Sequence, residues 1–132
     1  MQPTKLKTMK TYDEFLLDQD PDWHRHPNGG GLIYKNAYVD ETAFVSEHAK
    51  VLSGRVLGNA RIEDSACVYN DAVVKDNARV YGGAWIFDNA IIAGNAEVFD
   101  NAHVAGYARI FGNAKIYEHA DVRDDAEIFD NA

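Results

Sequence analysis

Cysteine is nearly absent from the sequence, which contains only Cys67 among its 132 residues. One thiol cannot form an intramolecular disulfide, and it cannot supply the set of thiolates that holds a structural zinc ion. Packing must therefore stabilise the fold, and no metal site is expected. Proline is scarce as well, and its three copies, Pro3, Pro21 and Pro27, all lie before residue 30.

Long apolar runs and an excess of basic residues are also missing. Apolar residues make up 46% of the chain, but no run is long enough for a membrane span or a signal-peptide core. We therefore expect a cytoplasmic protein with no membrane partner. The 13 Lys and Arg against 21 Asp and Glu give a net charge of -8, the wrong sign for neutralising phosphates. Direct nucleic-acid binding is not expected, and the length allows one domain.

A six-residue repeat runs from Gly30 to the end of the chain. Its form is x-Ala-x-(Val/Ile)-x-x, as in NARIED, NARVYG, NAEVFD and NAKIYE. A period of six would scatter these aliphatic residues around a helix, whereas Val and Ile favour strands, so each hexad predicts a short strand and a corner. Alternation along the strand places the alanine and the aliphatic residue inside and their neighbours outside. Gly, Asn and Asp at the corners tolerate a left-handed backbone at low cost.

A second period of 18 residues groups the hexads in threes. Asn59, Asn77, Asn95, Asn113 and Asn131 recur at this spacing. Three hexads therefore form one coil, and nearly six coils build a triangular prism in which each strand pairs with its equivalent in the next coil. The stacked asparagines are predicted to hydrogen-bond along one corner. The register holds throughout, except for a one-residue deletion placed at residues 54–58.

Over residues 30–132 this pattern resembles the hexapeptide-repeat, or isoleucine-patch, superfamily, whose members include acyltransferases. The resemblance implies an all-β fold, a left-handed parallel β-helix. It also implies association of prisms side by side, commonly as trimers. Small free-standing members with an Asn-Ala-x-Val motif look like accessory proteins of bacteria and their phages.

Residues 1–29 lack the hexads and are predicted to form an N-terminal cap on the β-helix of residues 30–132. Thr11 to Glu14, just before the apolar Phe15, match a capping box that opens a short helix. The first coil of a solenoid has an open edge and an exposed core. We therefore expect the segment to cover that edge, with Trp23 as an anchor.

The repeat also predicts three outer faces, which contain Trp85 (first face), Ile91 (second face) and Glu97 (third face). The middle of the first and second faces is apolar where a lone prism would meet water, which predicts an interface. An alternative interpretation is that these ladders only stabilise neighbouring strands by stacking. The candidate interface residues are Cys67, Tyr69, Trp85 and Phe87 on the first face and Val73, Ile91 and Phe111 on the second.

The resemblance implies where an enzyme would carry its chemistry, because similar acyltransferases use one histidine as general base toward an acyl-CoA thioester. His103 is the candidate base, and Asp121, one coil away, is placed to orient it. No loop between hexads forms a cofactor cleft, so acyl-CoA is expected only if the protein is such a transferase. His103, His119 and His48 are spread over several coils and do not predict a three-histidine zinc site in one chain.

Three functions therefore stay open. The leading hypothesis is a non-catalytic β-solenoid that forms a homo-oligomer, a dimer or trimer, and binds a protein partner, for example as an accessory or inhibitor protein of a bacterium or phage. The first alternative is a hexapeptide-repeat acyltransferase with His103 at a trimer interface. The second is an acidic rod that imitates nucleic acid and occupies the basic groove of a DNA- or RNA-binding protein.

Overall fold

The fold is a parallel β-solenoid of about five turns, described over residues 12–132 by a computed structural model. In this described part, one helix, α1, precedes eighteen short strands, β1 to β18. The bounds are α1 Tyr12–Gln19, β1 Trp23–Arg25, β2 Leu32–Tyr34, β3 Ala37–Val39, β4 Phe44–Val45, β5 Lys50–Val51, β6 Gly54–Val56, β7 Arg61–Ile62, β8 Cys67–Val68, β9 Val73–Val74, β10 Arg79–Val80, β11 Trp85–Ile86, β12 Ile91–Ile92, β13 Glu97–Val98, β14 His103–Val104, β15 Arg109–Ile110, β16 Lys115–Ile116, β17 Asp121–Val122 and β18 Glu127–Ile128.

Strands β2 to β18 form three parallel sheets, one for each predicted face. The first face is built by β2, β5, β8, β11, β14 and β17, the second by β3, β6, β9, β12, β15 and β18, and the third by β4, β7, β10, β13 and β16. Pairs such as Trp85 with His103 join residues 18 apart, which confirms that equivalent residues of successive coils lie beside each other. The one short coil pairs Val51 with Val68, and the missing residue lies between β5 and β6, just before the predicted deletion.

The core is a stack of alanines and β-branched residues that the hexad places inside. In the central coils, Ala90 and Ile92 have no exposed area, and the same holds for their equivalents Ala72 and Val74 one coil below. Small and branched side chains fit the narrow interior of a triangular coil because each layer lies directly on the one beneath. Burial of these columns removes apolar area from water and stabilises every coil in the same way.

The corners turn on residues with a left-handed backbone, as the sequence predicts. Asp76 has φ 60° and Gly94, its equivalent in the next coil, has φ 64°. The same Asp also accepts a hydrogen bond at 3.0 Å from the backbone N–H of Gly94. Other corner carboxylates accept the backbone N–H one coil above in the same way: Asp40 accepts that of Gly58, Asp64 that of Gly82, Asp88 that of Gly106 and Asp100 that of Glu118.

The predicted asparagine ladder is wrong. Among residues 12–132, the side chains of Asn59, Asn77 and Asn95 make no hydrogen bond to one another, and backbone bonds such as Asn77 N–H to the Gly94 carbonyl join the coils there. The residue before the asparagine makes the side-chain bond between coils instead. At Asp76, for example, the left-handed backbone directs the carboxylate toward the N–H of Gly94 in the next coil.

Residues 23–31 lie along the first coil. Strand β1 pairs with β2 in the antiparallel sense, and Trp23 packs edge-on against Tyr34 with ring centroids 5.0 Å apart. Gly31 donates its N–H to the Val45 carbonyl, which extends the contact to the third face. The helix α1 confirms the predicted short helix, but Thr11 of the capping box lies outside the described residues.

The buried side chain of His26 ties this segment to the first coil. Only 5% of His26 is exposed, and its Nε2 donates to the Ala43 carbonyl at 2.9 Å. At the other end of the prism, the inward Val122 and Ile128 are part-exposed where their equivalents in the middle are fully buried. The two ends of the described prism therefore differ in how far the core is covered.

Candidate interaction surface

The first face carries two columns of outward side chains in direct contact. Tyr69 and Phe87 stack with centroids 4.9 Å apart and planes within 2°, and Trp85 stacks on His103 at 4.9 Å and 8°. Edge contacts of Tyr69 with Trp85, at 6.5 Å, and of Phe87 with His103, at 6.3 Å, join the two columns. Parallel pairing puts these rings one rung apart, which is the distance at which aromatic rings stack.

The aromatic columns of the first face are open to solvent. Trp85 is 43% exposed and Leu52 is 37% exposed, although each has ring or aliphatic neighbours in the adjacent coils. Leu52, Cys67, Tyr69 and Trp85 line a shallow apolar cavity of about 190 Å³. We call the outward side chains of this face, from Lys50 and Leu52 to Asp121 and Arg123, the aromatic face.

The second face is apolar in its middle but less exposed. Val73 and Ile91 are part-buried neighbours in β9 and β12, and Ala93 is only 8% exposed. Phe111 is 37% exposed and stacks on Phe129 with centroids 5.3 Å apart. The predicted interface residues of this face therefore do lie together on its surface.

The third face contains an aromatic ladder that the interface prediction left out. Tyr81, Phe99 and Tyr117 stack at 4.9 and 5.4 Å. The Tyr81 hydroxyl donates to Glu97 at 2.9 Å, and burial together with this bond raises the pKa of Tyr81 to about 12. The spacing of 18 places these three residues in one outward column of the third face, although they are not among the candidate interface residues.

Charged pairs surround that ladder and make the third face polar. Glu63 accepts hydrogen bonds from Arg61 and Arg79, both at 2.9 Å. Burial opposes ionisation of Glu63, but the two arginines outweigh it and lower the pKa of the carboxyl. The Arg61 guanidinium also lies 4.3 Å from the centre of the Phe44 ring, and that of Arg79 lies 4.7 Å from the Tyr81 ring. These contacts pair the arginines of the third face with Glu63 and with its aromatic rings.

The predicted catalytic pair is brought together in the backbone but not in its side chains. His103 and Asp121 are partners in neighbouring strands. However, Arg123 binds both oxygens of the Asp121 carboxylate, with Nη2 to Oδ2 at 2.7 Å, and these bonds lower the pKa of Asp121. Among the described residues no hydrogen bond joins the His103 ring to the Asp121 carboxylate, and an orienting role for Asp121 stays a prediction. A base role for His103 stays a prediction.

One corner groove contains a histidine, His119, in its lining. It has a volume of about 830 Å³ and is lined by Gly82, Gly83, Asp100, Asn101, Tyr117, Glu118, His119 and Ala120. His119 belongs to this corner, whereas His103 and Asp121 lie on the first face. Within residues 12–132, no three His, Cys, Asp or Glu side chains are grouped closely enough to hold a metal ion.

The acidic excess is partly explained by the corners. The carboxylates of Asp40, Asp64, Asp76, Asp88 and Asp100 each accept a backbone N–H of the next coil. The bond from Gly58, followed by one from Tyr38, lowers the pKa of Asp40. These acids therefore have a structural use, which reduces the need for an acidic-mimic explanation of the charge.

Comparison with known proteins gives no relative for this chain. No family model, no curated protein and no solved structure matches it. In addition, none of the helices in residues 12–132 is both long and apolar enough to cross a membrane.

Proposed function

We propose that this protein is a non-catalytic scaffold of the hexapeptide-repeat type, with the left-handed coil of that superfamily, which self-associates and binds a protein partner through its outward apolar faces. The observation that carries the proposal is the exposure of the aromatic face, where Trp85 is 43% open to solvent. Contiguous apolar surface of this kind is typical of protein interfaces.

Stacking within the ladder does not account for this exposure. A ring needs neighbours above and below to stabilise the sheet, and those contacts are already complete between Tyr69 and Phe87 and between Trp85 and His103. The ring edges still face water, and a second protein surface would remove them from it. Aromatic residues of this type contribute most of the binding energy at many interfaces.

The side-chain geometry favours a scaffold over an acyltransferase. A general base works best when a second group fixes the orientation of its ring. The carboxylate expected to do this, Asp121, is bound at both oxygens by Arg123, and the ring of His103 stacks on Trp85. His103 thus extends the aromatic ladder of the surface that we assign to binding.

The test is the mass of the native particle as protein concentration rises. We expect reversible self-association of the wild type, and a loss of it in Trp85→Glu, since a charge in the middle of an apolar interface is costly. Tyr117→Glu is the matched control, because Tyr117 is 48% exposed but lies on the third face. A wild type that stays monomeric from micromolar to millimolar concentration would exclude self-association.

The protein partner needs its own measurement. Proteins that are captured by the wild type and by Tyr117→Glu, but not by Trp85→Glu, would support binding through the aromatic face. Equal capture by all three would place the partner elsewhere. Turnover of acyl-CoA that is abolished in His103→Ala would instead favour the acyltransferase.

A further inference from the structure

The aromatic face has a symmetric order around Trp85. Along one column the strand register runs from Lys50 to Cys67, Trp85, His103 and Asp121. A cation therefore lies two rungs below Trp85 and a carboxylate two rungs above it. Rungs about 4.8 Å apart put each charge about 10 Å from the central ring.

From this order we infer that a second copy of the chain packs on the aromatic face with its coils running in the opposite direction, around a two-fold axis at Trp85. The inference rests on the proposed self-association and adds the face, the orientation and the pairs in contact. A two-fold contact uses the same surface on both copies, so each surface must be complementary to itself when it is turned over.

Charge complementarity supports this orientation. A two-fold axis along the strand direction reverses the order of the coils but leaves each column facing its own copy. Lys50 then faces Asp121 of the second copy, and the same pair forms again at the other end. Asp121 and Arg123 are part-exposed, with 48% and 56% of their side chains open to solvent, so both are accessible to a second chain.

The sizes of the side chains agree with the same pairing. In the neighbouring column, Leu52, Tyr69, Phe87, Ala105 and Arg123 follow one another at successive rungs. Reversal places the large Tyr69 opposite Ala105, which has the smallest side chain of the column and is 2% exposed. It also places Leu52 opposite Arg123, whose alkyl chain can cover an apolar residue while the guanidinium stays in water.

A parallel pair of prisms fits less well. With coils in the same direction, one column would face the other at the same level, so Lys50 would oppose Leu52 and Asp121 would oppose Arg123 of the second copy. Lys50 then gains no carboxylate from the second copy, whereas in the antiparallel pair it adds a cation beside the Asp121 and Arg123 pair of the other chain. The Lys50 ammonium would also lose water against an apolar residue.

The shape of the face favours a flat partner over a small ligand. The cavity beside Trp85 holds about 190 Å³, which is below the volume of most ligand pockets. Five rungs span about 19 Å, so the contact is small and the dimer should be weak and reversible.

Cross-linking tests the orientation directly, using Cys67 as the reporter. The antiparallel dimer brings His103 of one copy opposite Cys67 of the other across two faces packed about 10 Å apart, so a bis-maleimide of that reach should link His103→Cys into covalent dimers. Cys67 and position 103 in one chain are also about 10 Å apart, so the measure is the yield of dimer compared with that of the control at the same protein concentration. Arg109→Cys is the control, because Arg109 occupies the equivalent strand position on the second face.

Charge reversal tests it without a new thiol. Lys50→Glu and Asp121→Lys should each weaken dimerisation about tenfold, because like charges would then meet across the contact. The double variant restores an opposite pair and should dimerise within about threefold of the wild type. In a parallel dimer the two positions stay four rungs apart, so no opposite pair is restored and the double variant would combine the losses of the two single variants. Thermal unfolding checks that the variants keep their fold.

The outcomes separate this inference from the proposed function. Self-association that is lost in Trp85→Glu, but with no cross-link through position 103 and no rescue by the double variant, would overturn the antiparallel pairing and leave the scaffold proposal standing. A monomer at every concentration would overturn both. Cross-linking of His103→Cys together with rescue supports the antiparallel dimer.

Discussion

Two neighbouring isoleucines show how the interior and the outer surface of the prism differ. Ile92 has no exposed area and lies in the core, whereas Ile91, beside it on β12, points outward and is part-exposed. Inward columns repeat alanine and branched residues at every coil, but outward columns mix aromatic, charged and aliphatic residues. The inward residues therefore specify the fold, and the outward ones specify what the surface can bind.

The largest difference in stability should be between two aspartate substitutions on opposite sides of this strand, at Ile92 and at Ile91. Ile92→Asp should unfold the central coils, because a buried carboxylate with no partner costs several kcal/mol and the branched side chain is lost as well. Ile91→Asp should leave the fold in place. Circular dichroism and thermal unfolding would measure both.

The pair also tests the assignment of inside and outside. If Ile91→Asp unfolds the chain as completely as Ile92→Asp, then the outward columns contribute to the core and the assignment of residues to the three outer faces is wrong.

A second comparison concerns two corner glycines that share a backbone conformation but differ in the free space around a Cβ atom. Gly106 and Gly58 have φ 66° and 64°, so alanine is strained at both. A Cβ would lie 2.6 Å from the Asp124 nitrogen at Gly106, but 3.4 Å from the Asp76 backbone at Gly58. We expect a loss of about 1 kcal/mol in Gly58→Ala and of 2 kcal/mol or more in Gly106→Ala, by denaturant unfolding. Equal losses would mean that the coils separate easily at the corner.

The corner carboxylates give a smaller effect. Asp76→Ala removes the bond to the Gly94 N–H and should cost about 1 kcal/mol. Asp71→Ala is the control, because Asp71 is also an exposed corner acid but its carboxylate makes no hydrogen bond in the described part of the chain. Denaturant unfolding should rank Asp76→Ala below Asp71→Ala in stability, and the reverse order would remove the structural explanation of the acidic excess.

The smallest effect is the dependence of stability on pH. The pKa of Asp40 is lowered by the Gly58 N–H and by Tyr38, and hydrogen bonds from arginines lower the pKa values of Glu63 and Asp121. A lowered folded-state pKa stabilises the fold above the unfolded pKa, about 4, and the gain is lost as pH falls through the folded value. The melting temperature should therefore be level near neutral pH and fall below about pH 4.

Asp40→Asn sharpens this test, because the amide cannot ionise. Its melting temperature should fall less steeply with acid than that of the wild type. An identical slope in the two proteins would show that Asp40 does not contribute to the acid sensitivity.

The repeated features of the fold could be predicted, but individual side-chain partners could not. Inward positions such as Ala90 and Ile92 follow from alternation, and the left-handed corners follow from Gly and Asp. Asp121 was expected to orient His103, yet it pairs with Arg123, two residues along its own strand. Both partners are within reach of one carboxylate, and a charged hydrogen bond to a guanidinium is the stronger of the two.

On the candidate surface, too, the columns of residues could be predicted but their contacts could not. The 18-residue period predicted the aromatic columns of the first face and also the column of Tyr81, Phe99 and Tyr117 on the third face, but the latter was not included in the predicted interface. Its polar surroundings depend on the contacts of Arg61 and Arg79 with Glu63, which the order of residues does not reveal.

The sequence by itself determined the coil, because a period of 18 residues with alternating burial allows only a stack of three-strand turns with Ala and Val or Ile inside. It also determined which residues share a face. Only the tertiary structure decided which side chains pair, which corner residue bonds the next coil and how far Trp85 is exposed. These outcomes depend on distances of a few ångströms between successive coils, and no residue pattern specifies those distances.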